Sequence, residues 1–197
     1  MGKNTALAVV DMQNDFRAGS GSPYACQGLD EKLVKNVKKL ISACKEKGFK
    51  VVYTQQSINP DKSNAERGEP LDVRVCITGT PGWEIIKEIQ PKPGDFVVRK
   101  HRASAFFKTS LEEELKKESI DSIVFCGVYT NNCVRATAQD AYARDYHVVF
   151  ISDCCGAQSD GKMSHRKMNK LALEDLRNRQ YETEVLTLKE FTEKVNQ

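Results

Sequence analysis

At 197 residues, the chain has the length of a single domain, 1–197, with enough apolar side chains to enclose a sizeable core. Its 30 lysines and arginines stand against 27 acidic residues, leaving a net charge of +3. So mild and mixed an excess argues against a nucleic-acid partner, and no apolar run approaches the length that spans a membrane. The seven cysteines are odd in number, lack metal-type spacing and fall partly inside apolar patterns (Cys44, Cys126, Cys154). The start, Met1-Gly-Lys-Asn-Thr5, has neither the apolar stretch nor the cleavage site of a signal peptide. Free thiols in a reducing cytoplasm are therefore expected.

Ala6–Val10 is a short apolar run ending at Asp11, which predicts a first strand. From Leu29 to Lys47, apolar residues at 33, 34, 37, 40, 41 and 44 follow helical spacing, and Gly48 is a stop signal. The basic stretch Lys35 to Lys39 lies on this helix and reads as its solvated face. Phe49–Thr54 is a second strand, followed by a polar loop over residues 55 to 82 rich in Gly, Pro and Asn. Trp83–Ile89 reads as a short helix, broken by Pro91, Pro93 and Gly94. Phe96–Val98 is a third strand. Ser110–Glu118 is a helix whose Ser110 and Glu113 have capping-box spacing. Ser122–Cys126 is a fourth strand, about 133 to 145 a helix, and His147–Ile151 a fifth strand. Met163–Arg179 is a long helix, Glu184–Leu186 a last strand and Leu188–Val195 a closing helix.

Strands alternating with helices imply a parallel sheet covered on both faces, and right-handed crossovers make it a doubly wound, Rossmann-like α/β fold. Six strands in the order 3-2-1-4-5-6 place the ends of strands one and four at the switch point, where such folds bind ligands. Asp11 follows strand one, Lys100 strand three and Cys133 strand four, so the three can share one crevice. Taken singly, Asp11 reads equally as a turn or cap residue, Lys100 as a surface lysine and Cys133 as a helix-packing residue. Their common location favours catalysis. Cys133 stands where a strand ends and a helix begins, beside unpaired N–H groups and the positive end of the helix dipole, a setting expected to stabilise a thiolate.

Four segments carry a specific resemblance. Val9-Val-Asp-Met-Gln-Asn-Asp-Phe16, Gly79-Thr-Pro-Gly-Trp-Glu84, Lys100-His-Arg-Ala-Ser-Ala-Phe-Phe107 and Gly127-Val-Tyr-Thr-Asn-Asn-Cys-Val-Arg-Ala-Thr-Ala138 resemble, in order, the motifs of the isochorismatase-like cysteine hydrolase superfamily. Within it, Ser104-Ala-Phe-Phe107 and Cys133-Val-Arg-Ala-Thr-Ala138 look most like the N-carbamoylsarcosine amidase group, with ureidoacrylate and maleamate amidohydrolases as close relatives. The resemblance implies a catalytic triad of Asp11, Lys100 and Cys133, a cis peptide before Tyr129, and no organic cofactor. It also implies a small amide or carbamoyl substrate and a homo-oligomer, a dimer or tetramer. Backbone N–H groups of Tyr129 and Cys133 are the expected oxyanion donors.

Nicotinamidases resemble this superfamily but bind a metal through an Asp-x-His pair after strand two and a later histidine. Here that stretch is Thr54-Gln-Gln-Ser-Ile-Asn59, and the only histidines, His101, His147 and His165, have no ligand spacing, so no such metal is expected. His101 can line the pocket; structural roles are expected for the other two. Gln55 and Gln56 occupy that stretch and can hydrogen-bond an amide or ureido group. Arg102 is a candidate for a substrate carboxylate, or equally for a surface ion pair. Phe16, Trp83 and Phe106 can wall the pocket or simply belong to the core, and Thr130 is expected near the thiol. The remaining alternatives are an isochorismatase-type hydrolase that does not use its cysteine, and a non-catalytic binding or redox protein.

Overall fold

The computed structural model describes residues 4–67, 74–179 and 183–196. Six parallel strands, β1 (Thr5–Val10), β2 (Lys50–Gln56), β3 (Phe96–Lys100), β4 (Ser122–Val128), β5 (His147–Gly156) and β6 (Glu184–Leu186), form one sheet in the order β3-β2-β1-β4-β5-β6. This is the expected doubly wound order. Five helices cover it: α1 (Glu31–Glu46), α2 (Leu111–Lys117), α3 (Cys133–Tyr142), α4 (His165–Arg179) and α5 (Leu188–Val195).

Alternation along the strands divides the core into two layers. Leu7 and Val9 of β1, with Val124 and Cys126 of β4, join the apolar face of α1 and Phe191 of α5. Ala6, Ala8 and Val10, with Ile123 and Phe125, face the other way, toward Leu111 and Leu115 of α2, Val134 and Ala138 of α3, and Leu173 and Leu176 of α4. The six apolar positions of α1 read from the sequence are its buried residues, and Asp30 caps its first turn by accepting from the Leu33 N–H at 2.8 Å.

Two local expectations change. Ser110 makes no capping bond with its side chain, because the chain reaches α2 in a turn rather than extended, and the Thr109 hydroxyl takes the Leu111 N–H instead. A complete capping box forms at α5, between Thr187 and Glu190. The Trp83–Ile89 helix shrinks to a 3-10 turn over Lys87–Ile89, because the backbone before it is committed to the segment after β1. Asn14 N–H donates to Glu84 O, and Ile86 N–H to Met12 O, each at 3.0 Å.

The switch point lies between β1 and β4, and these two central strands approach closely there. Gly127 has φ +107°, and a Cβ on it would lie 2.1 Å from the Val10 carbonyl oxygen. Any side chain would push β4 away from the strand that carries Asp11. Gly127→Ala should cost about 2 kcal/mol or more, seen as a lower urea midpoint at unchanged slope. A midpoint equal to wild type would contradict this reading of the contact.

Candidate active site

Each chemically active residue of the site is delivered by the end of a strand. Asp11 directly follows β1, in the left-handed region at φ +48°. Its N–H donates to both the carbonyl and the hydroxyl oxygen of Thr54, each at 3.2 Å, and the Thr54 hydroxyl donates to Asp11 Oδ1 at 2.6 Å. Lys100 is the last residue of β3, fully buried, and its Nζ stands 2.8 Å from Asp11 Oδ2. Cys133 opens α3, with Sγ 3.4 Å from the same ammonium and close enough to Asp11 for the two to interact electrostatically. Lys100 also donates to Gln56 Oε1 at 2.9 Å and to Arg102 O at 3.0 Å.

The electrostatics of this cluster correct one expectation. The helix start and Lys100 do not leave Cys133 with an acidic thiol. Burial pushes its pKa up to about 12, with Lys100 lowering it and the Asp11 charge raising it again. Burial thus holds the thiol proton more tightly than Lys100 and the helix start loosen it. For Lys100, burial alone favours the neutral amine, but Asp11 and Cys133 together outweigh it, so the ammonium stays charged.

The peptide bond Val128–Tyr129 is cis, as the resemblance implies. The following turn is pinned by Thr130 N–H to Gly156 O at 2.9 Å and by Asn132 and Val134 N–H groups to Tyr129 O. Among the described hydrogen bonds, the Tyr129 and Cys133 N–H groups donate to no protein acceptor. Thr137 anchors the turn at Cys133, donating to Cys133 O at 2.7 Å and accepting from Ala105 N–H at 3.1 Å. The lysine segment and α3 are thus tied together.

Cys133 opens onto a cleft of about 380 Å³ lined by Phe16, Gln56, Ile58, Arg67, Val75 and Tyr129, among others. Of the residues singled out for substrate contact, Phe16 and Gln56 line it; Phe16 meets Tyr129 edge-on, with ring centroids 5.3 Å apart. The others lie elsewhere. Gln55 Nε2 donates to Trp83 O, and Trp83 Nε1 to Ser57 Oγ, with the Arg99 guanidinium over the indole. Phe106 is buried beside Tyr146 in the layer of α2 and α3. Thr130 is buried, with its hydroxyl bonded to Asn169. Arg102 is occupied by the carbonyls of Asn64 and His101, and Arg67 is the guanidinium that reaches the cleft instead. His101 does not line the cleft, and His147 pairs with Glu184 at the far end of the sheet. Tyr24, Glu66, Ala103 and Asn132 complete the wall. Asn132 adjoins Cys133 in sequence and is legible from the motif; loop residues such as Ile58, Arg67 and Val75 carry no periodic signal.

All seven cysteines are free and buried, and among the described residues only Cys133 lines this cleft. Also among the described residues, no three His, Cys, Asp or Glu side chains cluster as metal ligands would, and no helix is long and apolar enough to cross a membrane.

The pattern of the Isochorismatase domain matches residues 5–190. The chain belongs to the isochorismatase family. It is similar to the ureidoacrylate amidohydrolase RutB of Pantoea ananatis, 33% identical over 172 residues, covering 77% of this chain and 68% of that protein. Among solved structures, an isochorismatase family protein of Desulfovibrio vulgaris superposes with a TM-score of 0.87 at 30% identity, over 98% of this chain and 99% of that one. The N-carbamoylsarcosine amidase of Thermoplasma acidophilum superposes with a TM-score of 0.76 at 32% identity, over 95% and 97%. The protein is an isochorismatase-like hydrolase.

In this isochorismatase-family site, Asp11 opposes and Lys100 favours the Cys133 thiolate. Asp11→Asn should therefore shift the alkylation of Cys133 to lower pH, while Lys100→Met should not. Iodoacetamide labelling read by peptide mass spectrometry tests this, and an unmoved profile in Asp11→Asn would refute the coupling.

Proposed function

We propose that the protein is a cysteine-dependent amidohydrolase that releases ammonia from a small amide or carbamoyl compound through a thioester intermediate. The observation that carries this reading is the convergence of Asp11, Lys100 and Cys133 within hydrogen-bond reach at one end of the cleft.

A thiol proton held this tightly beside Asp11 sets the order of events. Cys133 attacks the substrate carbonyl carbon as its proton passes to Asp11, so that the S–H bond breaks while S–C and O–H bonds form. The carbonyl electron pair moves to oxygen, and the free N–H groups of Tyr129 and Cys133 are placed to receive it, worth about 3 kcal/mol per donor in comparable sites. Asp11 returns the proton to the leaving nitrogen, which departs as ammonia. Water then attacks the thioester, Asp11 accepts its proton, and the thiol is restored. Lys100 holds its positive charge throughout and stabilises whichever partner, carboxylate or sulfur, carries the negative charge.

The named activities of the relatives, toward ureidoacrylate and N-carbamoylsarcosine, support a ureido group as the portion that reacts. Arg67 at the cleft wall suits a carboxylate at the other end of such a molecule. The site uses no organic cofactor in this scheme, and a cytoplasmic homo-oligomer is the form we propose for it.

Ammonia release from N-carbamoylsarcosine, ureidoacrylate, maleamate and nicotinamide, with Cys133→Ala as control, tests the proposal. Turnover of a ureido acid is expected, falling by at least about 1,000-fold in the variant. Ammonia release that survives the loss of Cys133 would remove the covalent mechanism.

A further inference from the structure

Asp11 has two carboxylate oxygens, and only one of them can serve the proton transfer just described. Thr54 decides which. The register of β1 against β2 places Thr54 opposite Val10, the residue before Asp11, and both Thr54 and Asp11 are about 1% exposed. A threonine hydroxyl has one proton and two lone pairs. The Asp11 N–H points at Thr54 Oγ1 from 3.2 Å and takes up its acceptor side. The single hydroxyl proton is therefore directed to Asp11 Oδ1, at 2.6 Å. Oδ1 is occupied, and Oδ2 is left buried 2.8 Å from Lys100 Nζ with no hydrogen bond of its own.

We propose that Thr54 is a positioning residue that, by occupying Asp11 Oδ1, reserves Asp11 Oδ2 for the catalytic proton. Thr54 is absent from the lining of the cleft, so it acts through Asp11 and not on the substrate. The proton leaves Cys133 Sγ, resides on Asp11 Oδ2 and moves to the leaving nitrogen, while the Thr54 proton stays on its own oxygen. A hydrogen bond to the ionised form lowers a carboxyl group's proton affinity, so losing it favours protonated Asp11. The other titratable groups around Asp11 are Lys100, Cys133, Cys76 and the Tyr129 phenol. Lys100 is the only cation among them, so Thr54 and Lys100 divide the two oxygens between them.

The inference rests on the amidohydrolase reading for its kinetic consequence but not for its chemical one. Thr54→Val keeps the shape and removes the hydroxyl, Thr54→Ser keeps the hydroxyl, and Thr54→Ala stands in should the valine variant not fold. With a ureido acid as substrate, the valine variant should lose about 10- to 100-fold in kcat with KM within about twofold. The acid limb of its pH profile should move to higher pH, and the serine variant should follow wild type. Independently of any substrate, iodoacetamide should label Cys133 several-fold faster at pH 7 in Thr54→Val than in wild type or Thr54→Ser. Protonated Asp11 beside a Cys133 thiolate becomes more populated once Oδ1 loses its donor. A folded valine or alanine variant with both the acid limb and the labelling rate of wild type would overturn the proposal. A wild type that turns over none of the amides would refute the amidohydrolase reading, with the labelling result still deciding the role of Thr54.

Discussion

Lys100 and Asp11 face each other at 2.8 Å with almost no access to solvent, and the polar groups around them are arranged to make that tolerable. Burying two charges is expensive even when they pair, and leaving one without its partner costs about 3–5 kcal/mol. The expense falls when each remaining lone pair and proton is satisfied. Gln56 Oε1 and the Arg102 carbonyl accept hydrogen bonds from Lys100, while the Thr54 hydroxyl donates one to Asp11. Placed against this pair, Cys133 shares a carboxylate that can take its proton and an ammonium that can hold its charge. Burial raises the proton affinity of this thiol, against the pull of Lys100, and a protonated thiol is less readily oxidised than a thiolate.

Holding the pair in register requires parts of the chain far apart in sequence. Gln13, fully buried, donates to Gln56 O and Trp83 O and accepts from the Gln56 N–H. It therefore clamps the end of β2, whose Gln56 steadies Lys100, to the segment around Trp83. That segment lies against the turn after β1, and Gly82 permits the contact, since a Cβ there would sit 2.1 Å from Asp15 Oδ1. Asp15 in turn accepts the Cys76 N–H at 2.6 Å and fixes one end of the loop that walls the cleft. The first two motifs in the sequence thus form one structural unit. The second supplies none of the three residues at the reaction centre; it braces those that do.

The sheet order and the helices were legible because hydrophobic period and strand alternation act locally and strongly. The apolar stripe of α1 and the run ending at Asp11 are examples. The convergence of Asp11, Lys100 and Cys133 was legible for a topological reason: parallel strands deliver their ends to one edge. The cleft wall was not. Trp83 and Phe106 look like pocket aromatics in sequence, yet their rings are occupied in packing against Arg99 and Tyr146. Arg102 and Arg67 are alike as residue types, and what separates them is that carbonyls of a folded loop satisfy the first. The thiol's proton affinity was misjudged for a similar reason. The helix start is visible in the sequence, whereas the depth of burial that outweighs it arises only from tertiary packing.

The central claim is that Cys133 becomes covalently acylated during turnover. Rapid acid quenching of the protein with a ureido acid substrate, followed by intact and peptide mass spectrometry, tests it most directly. The account predicts an adduct of the acyl mass on Cys133 that forms and decays no more slowly than the steady-state rate and is absent from Cys133→Ala. Sustained turnover with no adduct on Cys133 at any quench time would contradict it.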